Sequence, residues 1–292
     1  MQSRNYKARQ HKIFTRLLIG AFIIFTGILM EFVITRYNSN RSMSFRIEGE
    51  NVQIYKEKKW QNFPIAGVNT VAEIAGVNGE SGLTKDEYRR RLNEFAAADI
   101  NVIRVCTVLS PAFYKAFFEY NLLTKKPLFL LHGIRLANQP NNYSNAYDDR
   151  YNNDFLEEIR RTVDVVNGKG VPRQGNQTGA YNLNISPYVI GYALFEDVDD
   201  DFILRTNQNN LHVIGFEGDY LYTVNASPYE AWLAAMCNYA ISYEKDKYGG
   251  FNKLVSWTNW PGFENIRITE KFNAGILASR HLANRFSEYN WN

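Results

Sequence analysis

Two carboxylates, Glu196 and Asp197, directly follow an apolar run at residues 188–195 (YVIGYALF), and Val198 and three aspartates, Asp199, Asp200 and Asp201, come next. A carboxyl group held at the end of a buried strand can give or take a proton once its surroundings tune its acidity. The plain alternative is a solvated acidic loop. Other apolar runs carry chemistry-bearing residues in comparable places. Asn69 closes residues 63–69 (FPIAGVN), Arg104 lies inside residues 101–107 (NVIRVCT), and His132 follows residues 127–131 (PLFLL). Tyr192 lies within the run that precedes Glu196, and Trp257, Asn259 and Trp260 close the run that begins at Leu254. Flat aromatic faces beside hydrogen-bonding groups suit a ligand with apolar faces and polar edges, such as a sugar ring. Each also has an ordinary reading: rim packing for the tryptophans, a satisfied core histidine, and an ion pair for Arg104.

These residues need a scaffold that brings strand ends together. The apolar runs at 63–69, 101–107, 127–131, 188–195 and 254–257 read as buried strands, and residues 274–279 read as a sixth. Helical periodicity fills residues 84–98, with Thr84 and Glu87 spaced as a capping box, and also residues 110–120, 154–166 and 228–248. Strand–helix alternation with near-continuous apolar strands predicts an α/β fold with a parallel sheet covered on both faces. Residues 45–55 alternate apolar and polar and, with a turn at 56–59, predict a small β-hairpin before the first parallel strand. Glu230, three residues after Ser227, reads as a helix cap, and Glu217 and Asp219 as turn residues in water.

Upstream, residues 17–34 (LLIGAFIIFTGILMEFVI) are apolar with a single charge, Glu31. Eighteen helical residues span roughly 27 Å, close to a hydrocarbon core. Arg4, Lys7, Arg9, Lys12 and Arg16 precede the run and only Arg36 and Arg41 follow it closely. The positive-inside rule then puts the N-terminus in the cytoplasm and the rest outside. The expected organisation is a basic tail at 1–16, a single-pass signal anchor in the cell membrane at 17–35, a polar linker at 36–44 and an extracytoplasmic domain at 45–292. A cleaved signal peptide is the competing reading.

Composition narrows the classes further. A net charge of +3 argues against a nucleic-acid partner. Cys106 and Cys237 are far apart and lack metal-ligand spacing, so no metal or cofactor is expected; both read as free thiols, with a disulfide the alternative. There is no Walker loop, no glycine-rich dinucleotide turn, no HExxH and no GxSxG. Aromatics are abundant, with 19 Tyr, 19 Phe and 5 Trp, and either fill a core or form platforms for sugars.

In their order along the chain, WQNFPIAGVN, EYRRRLNEFAAADINVIRV, PAFYKAFFEYN, PLFLLHGI, SPYVIGYALFED, GDYLYTVNASPYEAWLA and LVSWTNW resemble clan A glycoside hydrolases, especially the family-two-type TIM-barrel domains of bacterial surface proteins. The resemblance covers residues 60–281. It implies a (β/α)8 barrel, a carbohydrate partner, a Glu acid/base at the end of strand four and a Glu nucleophile at the end of strand seven. Aligned on Gly191-Tyr192, the family's acid falls on Asp197 rather than Glu196. Asp is one methylene shorter, and a misplacement near 1 Å can cost about a hundredfold in rate, so Glu196 is the candidate acid and Asp197 its rival. About six strands are expected, leaving the barrel incomplete and a partner chain as one way to complete it. Glu264, Glu270 and Glu288 are the late glutamates; Glu288 reads as part of a tail without strand pattern, so no nucleophile is expected. Two functions follow: hydrolysis or transfer of O-glycosidic bonds in surface polysaccharide, or glycan binding by a degenerate or truncated barrel.

Overall fold

In the computed structural model the chain divides into two units, Met1–Ser42 and Met43–Asn292. The structure describes residues 14–31, 43–71, 83–136, 143–171, 179–194, 199–250, 253–257, 265–277 and 285–290. Among its described residues the first unit holds one helix, α1 (Phe14–Glu31), which by length and composition is long and apolar enough to cross a membrane. Residues 32–35 of the expected anchor lie outside the described residues.

The second unit opens with β1 (Ser44–Glu48), β2 (Asn51–Lys56) and β3 (Lys59–Asn62), an antiparallel meander in the order β1-β2-β3 rather than a single hairpin. Its first turn uses Gly49 at φ 60°, and its second, inside the expected 56–59 turn, holds both Glu57 and Lys58 at positive φ. That is the backbone a two-residue hairpin loop needs to match strand twist. Phe45 and Phe63 pack edge-on against the ring of Phe129, with centroids at 5.2 and 5.3 Å. The Ile47 amide donates to the Ala274 carbonyl at 2.8 Å.

The main body runs β4 (Gly67–Val71), α2 (Lys85–Ala97), β5 (Val102–Val105), α3 (Pro111–Leu123), β6 (Phe129–Ile134), α4 (Asp149–Val166), β7 (Val189–Leu194), α5 (Asp200–Asn209), β8 (Leu221–Thr223), α6 (Pro228–Tyr248), β9 (Leu254–Trp257), β10 (Ile266–Ile268) and β11 (Phe286–Asn290). Six of these strands form one parallel sheet in the order β11-β4-β5-β6-β7-β9. Beyond β9 the chain adds a bridge, Val255 to Ile276, also parallel, with Leu277 donating to the Val255 carbonyl at 2.7 Å. Phe129, at the start of β6, places the meander at the N-terminal end of this sheet. Every residue of β6 and β7 is buried, as expected of strands covered on both faces.

The sheet confirms the parallel α/β expectation and revises its last part. The residues around 288 form β11, which pairs with β4 in parallel register instead of trailing as a tail. With the bridged segment at 276, seven parallel chain segments succeed one another among the described residues, and β11 is the last of them. The barrel is not closed: among the described residues no pairing joins 276 to β11. The five residues FSEYN are too few to show a period alone; pairing with β4 supplies the partner that makes them a strand. β8 and β10 form an antiparallel ribbon that the hydrophobic pattern did not reveal. The acidic run also resolves differently, because Asp199 caps α5 by accepting from the Asp201 amide at 3.0 Å, and Asp200 and Asp201 occupy its first turn. Carboxylates there meet the positive end of the helix dipole.

Capping expectations hold at two helices. Thr84 and Glu87 form the capping box of α2, and Ser227 and Glu230 form that of α6. Glu230 is buried and also accepts from the Asn265 amide at 3.3 Å, tying the start of α6 to the chain just before β10.

Candidate functional site

Register sorts the candidate residues onto two faces. One row crosses all six strands as Glu288, Asn69, Arg104, Leu131, Gly191 and Leu254. The next row, one residue further along each strand, reads Tyr289, Thr70, Val105, His132, Tyr192 and Val255. Successive strand residues alternate between faces, so the two rows lie on opposite sides of the sheet.

The second row faces the helices. The Tyr114 hydroxyl of α3 lies 2.8 Å from His132 Nε2, and His132 Nδ1 lies 2.8 Å from the Gly133 carbonyl. A carbonyl only accepts, so Nδ1 carries the proton, and Nε2 accepts from Tyr114, whose oxygen accepts in turn from the Leu109 amide at 3.3 Å. Burial pushes the His132 pKa from 6.5 down to about 4. With both nitrogens satisfied inside the protein, His132 fits the structural reading and not the sugar-contact reading. Tyr192 is likewise fully buried. Its hydroxyl pKa is raised, first by burial and then by the Glu244 carboxylate of α6. Glu244 pairs with buried Lys253 at 2.6 Å and accepts from Asn167 Nδ2 at 3.0 Å. Tyr192 therefore belongs to a buried polar cluster between sheet and helices, a correction to its place among the ligand contacts. Trp257 is half-buried, pairs with Leu194 two positions past the Tyr192 row, and packs against the core.

The first row, from β4 through β9, lies on the face away from these helix contacts. Asn69 and Arg104 are both half-buried, and Arg104 Nη1 donates to Asn69 Oδ1 at 3.5 Å. Thr70 locks the two strands from the other face by donating to the Arg104 carbonyl at 2.8 Å. The row is polar at β11, β4 and β5 and apolar at β6, β7 and β9. At Gly191 a Cβ would meet the Leu254 carbonyl oxygen at 2.5 Å, so only glycine lets β7 and β9 approach there. Position 288 shares this row with Asn69 and Arg104, and sequence reasoning missed it because nothing local marks it as a strand.

Glu196, Asp197, Asn259 and Trp260 lie outside the described residues. Chain connectivity still bounds the first two: they follow the C-terminal end of β7 within three residues of Leu194. Among aromatics, burial favours the core reading. Tyr143, Tyr151, Phe155, Phe202, Tyr229 and Trp232 form one cluster beneath α4, α5 and α6, with successive centroids 4.8 to 6.3 Å apart. Both cysteines are free thiols, and burial raises the Cys237 pKa.

No protein-family profile matches this sequence, and no curated protein sequence does either. Among solved structures the chain is similar to a hyperthermophilic endocellulase of Pyrococcus horikoshii at 10% identity and a TM-score of 0.46, covering 76% of this chain and 58% of that one. It is similar to an endo-1,4-β-mannanase of Rhizomucor miehei at 12% identity and 0.41, covering 83% and 69%. A β-glucuronidase of Ruminococcus gnavus matches at 10% identity and 0.40, covering 75% and 32%. All three are glycoside hydrolases. The chain spans 58% or less of the endocellulase and the glucuronidase.

Proposed function

We propose that this protein hydrolyses or transfers O-glycosidic bonds of extracellular or cell-surface polysaccharide, held to the cell membrane by a single-pass anchor at residues 17–35 with its N-terminus in the cytoplasm. The observation that carries this reading is the polar row on three adjacent parallel strands, Glu288, Asn69 and Arg104. Glycosidic cleavage needs a proton for the leaving oxygen and a carboxylate at the anomeric carbon, and a retaining site sets the two carboxyl groups about 5 to 5.5 Å apart. In this reading Glu196 is the acid, with Asp197 its rival, and Glu288 the carboxylate. Glu196 protonates the leaving oxygen as the C–O bond breaks, Glu288 bonds the anomeric carbon, and water or a second sugar hydroxyl displaces Glu288 while Glu196 takes its proton. Arg104 and Asn69, beside position 288, orient the carboxylate or a sugar hydroxyl. Asn259 and Trp260, after β9, supply further sugar contacts.

The test measures release of reducing ends by the full chain from carboxymethyl cellulose, glucomannan and polygalacturonate. Hydrolysis of one of them by the wild type, lost in both Glu288→Gln and Glu196→Gln with unchanged melting temperatures, is the expected result. If Glu288→Gln keeps full activity, the nucleophile assignment fails. If the wild type cleaves none of a wider glycan panel yet binds one, the chain is a glycan-binding module instead.

A further inference from the structure

A sugar-binding aromatic must be both fixed in place and open to solvent, so that a ring can stack on it. Among the aromatics of the Met43–Asn292 unit whose burial is described, Trp60 alone is exposed, at 36%. It is also held. The Arg46 guanidinium sits 4.3 Å from its ring centre, and the Tyr55 ring lies 5.3 Å away at 59°. Arg46 is itself oriented by Gln53 Oε1 at 2.9 Å and Glu48 Oε2 at 2.6 Å. An indole braced in this way keeps its orientation while remaining exposed to solvent.

Trp60 borders an open cavity of about 390 Å³ shared with Tyr220, Lys245, Lys271, Phe272 and Asn273. That volume lies in the range of small-molecule sites, several hundred Å³. Among the described residues, its lining holds two ammonium groups and no carboxylate. Lys245 Nζ lies 5.0 Å over the Tyr220 ring. Lys271 pairs with Asp219 at 2.6 Å, but both side chains are about two-thirds exposed, at 66% and 65%, so water screens the pair and Lys271 stays available to an incoming anion. Phe45, another lining residue, packs on Phe129 at the start of β6. The cavity is therefore at the N-terminal end of the strands, away from their C-terminal ends.

We propose that this cavity is a second glycan site, which takes a sugar bearing a carboxylate, as in a uronate-containing polysaccharide, and anchors the chain without cleaving it. It rests on the reading that the ligand is a glycan, but not on the reading that the protein cleaves one. One uronate ring stacks on Trp60, its carboxylate is met by Lys245 and Lys271, and Asn273 is positioned for a hydroxyl.

Calorimetry on the full chain in detergent micelles, titrated with trigalacturonic acid and with neutral cellotriose, tests it. Trigalacturonate should bind more tightly than cellotriose, and added salt should weaken it. Trp60→Ala should weaken it about tenfold or more, and the surface double variant Lys245→Ala/Lys271→Ala should do so by a similar factor for trigalacturonate alone. Glu288→Gln should leave it unchanged, which separates this site from the proposed cleavage site. Absence of trigalacturonate binding, equal binding by the double lysine variant, or loss of binding in Glu288→Gln would each overturn the proposal.

Discussion

The two faces of the same parallel sheet handle polar residues in opposite ways. On the helix-facing row, His132 and Tyr192 are fully buried: both His132 nitrogens meet protein partners, Tyr114 and the Gly133 carbonyl, and Tyr192 lies close enough to the Glu244 carboxylate for that charge to raise its pKa. On the opposite row, Asn69 and Arg104 are only partly buried and meet each other at 3.5 Å, the long limit of a hydrogen bond. A buried polar group is tolerated where it is saturated, because leaving it unpaired costs roughly 1–3 kcal/mol. A ligand site needs polar groups that are held in place and that solvent and ligand can reach. Burial, rather than residue type, separates the two rows: a histidine and a tyrosine at strand ends are closed off from solvent, while an asparagine and an arginine stay partly exposed.

The sharpest test of that contrast exchanges one charged group on each face. Glu288→Gln should lower turnover by roughly 10²–10⁴-fold while leaving the melting temperature within a few degrees; an unchanged rate would return the opposite row to a structural role. Lys253→Met on the helix-facing side should do the opposite. It strands the Glu244 carboxylate, 1% exposed, without its 2.6 Å partner. Breaking a buried pair costs about 3–5 kcal/mol, or about 10 °C at roughly 2–4 °C per kcal/mol. Thermal unfolding with retained activity per folded molecule is the expected reading, and a melting temperature equal to wild type would show that water reaches the cluster.

His132 offers a pH test of the same face. Its folded pKa, about 4, lies below the 6.5 of an unfolded histidine, so between those values the unfolded chain binds the extra proton. Stability is intact above pH 6.5 and erodes as pH falls towards 4, by about 3 kcal/mol at roughly 1.4 kcal/mol per pKa unit. Denaturant midpoints at pH 7 and pH 4.5 should differ accordingly, and the difference should shrink in His132→Gln. The smallest effect lies away from both rows. Thr84→Ala removes the cap of α2, an Oγ1 that accepts from the Glu87 amide at 3.3 Å, and should cost about 1 kcal/mol with no change in rate.

Legibility along the chain followed how local the determining interactions are. The strands at β4 to β7 and the helices between them could be read because each carries its own pattern: an uninterrupted apolar run, an amphipathic period, or a Thr-x-x-Glu cap. The C-terminal quarter could not. β8 and β10 are three residues each and gain their ladder from each other and, for β8, from an antiparallel bridge to Glu217. Between Leu277 and Phe286 lie eight residues. That is fewer than the dozen or more of a helical crossover, so no further β/α repeat announces another strand.

The residue types alone determined a parallel α/β body behind an apolar segment of membrane-spanning length, and they identified the carboxylates, aromatics and strand-end polar groups worth considering. Hydrophobic periodicity and capping act over a few residues, so they are written directly into the chain. Tertiary structure decided which of those groups share a face. Only the pairing of β11 with β4 brings position 288 into the row of Asn69 and Arg104, and only packing against α3 and α6 closes His132 and Tyr192 off from solvent. Strand register sets these neighbours across more than two hundred residues of chain. A one-residue slip would exchange the two rows, because alternate positions along a strand point to opposite sides of the sheet.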